Sequence, residues 1–64
     1  MTRAQALIRL QAVCDKKGWQ FITLRRLVEW EAWYVPNGQS PQVQRSKTTL
    51  AALVAAFEER ARKD

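Results

Sequence analysis

The sequence predicts an α+β chain: a helix, a three-stranded antiparallel meander and a second helix, with both helices on one face of the sheet. Three observations predict it. Asn37-Gly38 follows Pro36 between two segments able to form strands, and Asn-Gly is the strongest short-range hairpin signal because both residues tolerate positive φ. Residues 29–35 alternate, with Trp30, Ala32 and Tyr34 on one side and Glu29, Glu31 and Trp33 on the other. Both ends of the chain space their apolar residues as helices do.

Residues 3–17 read as the first helix. Ala6, Leu7, Leu10, Val13 and Cys14 fall on one arc, Thr2 is the expected N-cap, and Gly18 is a natural residue just past the end. Lys16 and Lys17 suit the negative end of the helix dipole. Ile8 lies off the main arc beside Ala4 and Ala12. It is expected to flank the core, or else to mark a weak contact surface.

Trp19 to Leu24 is rich in aromatic and β-branched residues and reads as the first strand. Arg25-Arg26-Leu27-Val28 has no Gly, Asn, Asp or Pro, so a hairpin there needs a type I turn made of ordinary residues. Residues 29–35 form the second strand, and Pro36 biases Val35 toward extended backbone. Residues 42–44 form the third, an edge strand because Pro41 lacks a donor. Ile22, Leu24, Trp30, Ala32, Tyr34 and Val43 are expected to face the helices. Phe21, Thr23, Arg25, Glu29, Glu31, Trp33, Gln42 and Gln44 are expected on the open face. The competing reading makes residues 22–35 helical and the fold an all-α three-helix bundle, but it places Glu31 inside the apolar arc. Residues 48–62 read as the last helix: Leu50, Leu53, Val54, Phe57 and Ala61 form one stripe, capped by Ser46, Thr48 or Thr49.

At 64 residues the chain is expected to be one domain. A chain this small buries roughly 60% of its unfolded surface, so its core needs close packing or a partner, and a homodimer is an open option. The single cysteine excludes an internal disulfide, and the lack of His argues against a metal or a cofactor-dependent site. No apolar run spans a bilayer and no signal-peptide core is present, so a cytoplasmic protein without a membrane partner is expected.

Catalysis has little to work with. Glu29 and Glu31 would lie roughly 6–7 Å apart on one strand face, a spacing paired carboxylates can use. Arg25 and Arg26, however, are near enough to neutralise them. Cys14 sits on the apolar arc, where a thiol acts as a small hydrophobe. The two glycines, Gly18 and Gly38, form no phosphate-cradling loop. An enzyme is not expected.

The formal net charge is +5, distributed as +3 over residues 1–17, zero over 18–35 and +2 over 36–64. Such an excess favours polyanions through steering and counterion release. Arg45 and Lys47 lie just before the last helix, where N–H groups already attract anions, Thr48 adds a hydroxyl, and Lys16 and Lys17 extend that patch if the first helix ends nearby. Arg25 and Trp33 are the candidates for base contact from the sheet face.

The piece Arg45-Ser46-Lys47-Thr48-Thr49-Leu50-Ala51-Ala52-Leu53, set after a helix and three strands, resembles the double-stranded-RNA-binding domain in element order. That family opens the corresponding helix with a denser lysine cluster. Thr48-Thr49 departs from the pattern, and the family's contact loop between its first two strands has no counterpart here. The resemblance implies a fold and leaves function to the residues. Two functions follow from those residues. One is a small basic nucleic-acid-binding or regulatory module using Lys16, Lys17, Arg25, Arg45, Lys47 and Thr48. The other is a protein-interaction module, an adaptor or inhibitor of the kind mobile elements encode, anchored by Phe21, Trp33 and Ile8.

Overall fold

The computed structural model describes residues 1–63. The chain runs α1 (Arg3–Lys17), β1 (Gln20–Arg26), β2 (Trp30–Val35), β3 (Gln42–Ser46) and α2 (Leu50–Lys63). The three strands form one antiparallel sheet in the order β1-β2-β3, so the chain has the expected α+β architecture.

Local chemistry sets the ends of α1. The Thr2 hydroxyl accepts from the Gln5 N–H at 3.1 Å, and the Gln5 side-chain oxygen accepts from the Thr2 N–H at 2.8 Å, a reciprocal capping box. Gly18 closes the helix at φ 73°, in the left-handed region where a side chain is disfavoured. At α2 the cap is Thr49, whose hydroxyl accepts from the Ala52 N–H at 3.1 Å. The Ser46 hydroxyl accepts from the Thr48 N–H at 3.4 Å and donates to the Thr49 carbonyl at 3.3 Å, which shapes the link from β3.

The helices lie side by side and run in the same direction. Arg9 in α1 pairs with Glu58 in α2 at 2.5 Å, and further along Val13, Lys16 and Lys17 line a groove with Ala61 and Arg62. Between helices and sheet, the core is built from Ala6, Leu10, Cys14, Leu24, Ala32, Tyr34, Leu50, Leu53, Val54 and Phe57. Its centre is aromatic. Tyr34 meets Phe57 edge-on at 4.8 Å and stacks on Trp19 at 5.4 Å, geometries that add to simple burial.

The sheet departs from the expected faces in two places. In β1, Phe21 pairs with Tyr34 but Thr23 pairs with Trp33, so Ile22 is an extra, bulged residue. The bulge carries Phe21 to the helix face, where it packs on the core, and leaves Ile22 47% exposed. In β3, Val43 pairs with Trp33, while Gln42 and Gln44 lie opposite Tyr34 and Ala32. Val43 therefore sits on the open face and the two glutamines on the helix face, the reverse of the expectation. The first hairpin turns through ordinary residues, as expected, while the second closes differently. Residues 27–29 turn β1 into β2 with no positive φ. In the second connection the Gln39 N–H donates to the Pro36 carbonyl at 3.1 Å and only Gly38 has positive φ, at 72°. Positive φ at the third turn position alone matches a type II turn, not the doubly left-handed turn that Asn-Gly signals.

At Gly18 an added Cβ meets no atom within 4 Å, so the strain of Gly18→Ala is purely a matter of backbone conformation. Chemical denaturation should therefore show Gly18→Ala less stable by about 1–2 kcal/mol, the cost of a left-handed L-residue. Gly18→Asn should recover part of the loss.

Candidate functional site

Alternation on β2 puts Glu31 and Trp33 on the open sheet face, and the register places Arg25 and Arg45 on either side of Glu31. Glu31 is only 7% exposed, yet its carboxylate is fully engaged. One oxygen accepts from Arg25 Nε at 2.8 Å and from Trp33 Nε1 at 3.0 Å, and the other accepts from Arg45 Nε at 3.3 Å. The Arg25 guanidinium also lies over the Trp33 ring, 5.0 Å from its centroid, and Arg45 reaches Glu29 at 3.5 Å. The Arg25 bond, then those from Trp33 and Arg45, hold the Glu31 carboxyl at about 2, below its ordinary 4.5, although its burial opposes this. These are ion pairs that fix side chains on the open face.

The open face is thus balanced, two arginines against two glutamates. Trp33 has its indole N–H bound to Glu31 and one ring face under Arg25.

Five of the 11 basic residues gather at one end of the molecule. β1 and β3 both finish there, and both helices start there. Arg26, Trp30 and Ser46 are level across the sheet, so Arg26 and Ser46 lie about 10 Å apart from two strand spacings. Arg26 sits over the Trp30 ring at 5.6 Å. Arg3 donates to the Leu24 carbonyl at 2.5 Å, which ties the start of α1 to the end of β1. Lys47 and Thr48 follow on the link into α2 and are exposed. Among the described residues, Arg3, Arg25, Arg26, Arg45 and Lys47 face only Glu29 and Glu31 at this end. Neither helix has an acidic residue in its first turn, so two positive dipole ends add to the same field.

Of the residues expected to contact nucleic acid, Arg25, Arg45, Lys47 and Thr48 come together here. Lys16 and Lys17 do not. Parallel packing sends the end of α1 to the far end of α2, beside Ala61 and Arg62, about 20 Å from Lys47 by helix rise. Lys17 there lies over the Trp19 ring at 5.7 Å. The expected extension of the patch by these two lysines therefore fails on helix direction.

The expected protein anchors separate as well. Phe21 is packed on the core, Trp33 is bound to Glu31, and Ile8 is 70% exposed on the outer side of α1, where it does not flank the core. Met1, Gln5 and Arg9 surround it in a shallow depression. Cys14 is fully buried, and burial first, then the neighbouring Asp15 charge, pushes its thiol up to about 11. It serves as core. Among the described residues no group of His, Cys, Asp or Glu is arranged to hold a metal ion, and no helix is long and apolar enough to cross a membrane.

Arg3, Arg26 and the turn residues Leu27 and Val28 belong to the basic end although they stood outside the expected site. A signal existed for one of them: adjacent residues on a strand face opposite ways, so Arg25-Arg26 must straddle the sheet. Comparison with protein-family models, with curated proteins and with solved structures finds no match.

Because the folded Glu31 carboxyl lies below its ordinary value, it stabilises the fold fully above about pH 4.5. That contribution is lost as pH falls toward about 2. Urea titrations should find Glu31→Gln weaker than the parent at pH 7 and the gap closed near pH 2. A gap independent of pH would show that the carboxylate charge contributes nothing.

Proposed function

We propose that this protein is a small basic nucleic-acid-binding module, with a regulatory rather than catalytic role. Its interface is the end of the molecule built from Arg3, Arg25, Arg26, Arg45, Lys47 and Thr48. The observation that carries the reading is convergence: three separate segments and two helix N-termini bring positive charge to one end. Phosphates are bound by such sets of cationic side chains, hydroxyls and helix N-terminal N–H groups. Arg25 and Arg45 are held in place by Glu31, so less freedom is lost when they meet a phosphate. Lys47 is exposed and supplies a point charge.

Binding should be micromolar or tighter at low salt. With about four phosphate contacts, the slope of log affinity against log salt on duplex DNA should be about −3.6. Lys47→Ala should reduce that slope by about 1, while Lys16→Ala, at the opposite end, should leave it unchanged. A flat titration with single and double strands of DNA and RNA at low salt would overturn the reading.

A second reading, association with protein, is favoured by one observation: Ile8 lies exposed beside Met1 with nothing packed on it. If α1 mediates a homodimer, sedimentation equilibrium should give a mass above the 7.4 kDa of the single chain. Ile8→Lys should return the mass to that value.

A further inference from the structure

Two strongly exposed large apolar residues, Leu27 and Val28, sit side by side at the tip of the β1–β2 hairpin. Leu27 is 68% exposed and Val28 is 96% exposed. Strand pairing ends at Arg26 and Trp30, so the three residues between them form the whole turn. The tip is braced: the Leu27 N–H donates to the Glu29 carbonyl at 3.2 Å, and the Glu29 carboxylate is paired with Arg45 at 3.5 Å. Tight turns ordinarily use Gly, Asn, Asp or Ser, whose backbones or side chains suit the bend. Two branched aliphatic residues add nothing to the turn, and at these exposures they add little to the core.

What surrounds the tip says what it meets. Arg25 and Arg26 precede it directly. Lys47 lies on the neighbouring link, one residue past the row of Arg26, Trp30 and Ser46. Cations so placed suit phosphates, but an aliphatic tip gains nothing against phosphate itself. In a duplex the apolar surface is the sugar walls and the faces of the bases, and aliphatic side chains reach those faces by wedging into a base step. B-form DNA offers pyrimidine–purine steps that open at low cost.

We propose that Leu27 and Val28 form a wedge that enters a base step of duplex DNA, while Arg25, Arg26 and Lys47 hold the phosphates on either side. This rests on the nucleic-acid reading above and gives it a mode of contact. Because the wedge acts on stacking and the cations act on charge, the two separate under mutation.

The test uses the full chain and a mixed-sequence DNA duplex carrying 2-aminopurine at one of several steps, a base whose fluorescence rises when it unstacks. The parent protein should raise the fluorescence at a flexible step. The double variant Leu27→Ser, Val28→Ser changes only surface side chains, and circular dichroism checks that it keeps the fold. It should lose the enhancement and keep the salt slope. Equal binding by parent and variant with no enhancement in either would overturn the wedge while leaving the nucleic-acid reading intact. An enhancement confined to duplex RNA would overturn the choice of DNA. Binding to anionic lipid vesicles that the double variant loses, with no change in duplex fluorescence, would overturn the wedge in favour of a lipid surface. Absence of binding to any nucleic acid at low salt would remove both readings together.

Discussion

One carboxylate ties the three strands together on their uncovered side. Glu31 accepts from Arg25 of β1, from Trp33 beside it in β2 and from Arg45 of β3. A sheet with helices on one face has no second layer to lock its other face. Here a nearly buried charge with its hydrogen bonds satisfied takes that role. Removing such a centre costs more than its net contribution, because the two guanidiniums would lose their shared partner. The same contacts hold Arg25 over the Trp33 ring and Arg45 between Glu31 and Glu29. Strand cohesion and the placement of surface charge are therefore one arrangement.

The helix side works by different physics. Ala6, Leu10, Cys14, Leu53, Val54 and Phe57 close over Leu24, Ala32 and Tyr34 with almost no polar content. The smallness of Ala6 and Ala32 lets helix and sheet approach, and the aromatic group of Trp19, Tyr34 and Phe57 fills the centre. Parallel packing of α1 and α2 has an electrical consequence. It sets both N-terminal ends at one end of the molecule and both C-terminal ends at the other, so the dipoles add rather than cancel. The five basic residues at the N-terminal end deepen that field, and Lys16, Lys17, Arg60, Arg62 and Lys63 offset the opposite one.

The resemblance in element order to the double-stranded-RNA-binding domain is matched by the observed order of elements. It extends no further on these residues. The first hairpin is a three-residue turn with an aliphatic tip, and Thr48-Thr49 instead of a lysine cluster leads into α2. The functional reading accordingly rests on where charge and exposed apolar groups meet.

Element type and order were legible in the sequence because they depend on local pattern. Thr2 and Gly18 mark the ends of α1, the Leu50–Ala61 stripe marks α2, and alternation from Trp30 to Tyr34 marks β2. The phase of the outer strands was not legible. Alternation has a period of two, so one inserted residue exchanges the faces, and nothing in Phe21-Ile22-Thr23 announces the bulge that does so. For β3 the composition misled, since Val43 between two glutamines reads as the buried residue, yet it lies on the open face. The site divided in the same way. Arg45, Lys47 and Thr48 are neighbours in sequence and were found as a patch. Arg3, Arg26 and the Leu27-Val28 tip joined them only through strand register and helix direction. By itself the sequence determined which segments become helix and strand, because hydrogen-bonding period and caps are local. Only the tertiary structure decided which residues share a surface, because that depends on contacts between segments whose relative phase and direction no local pattern contains.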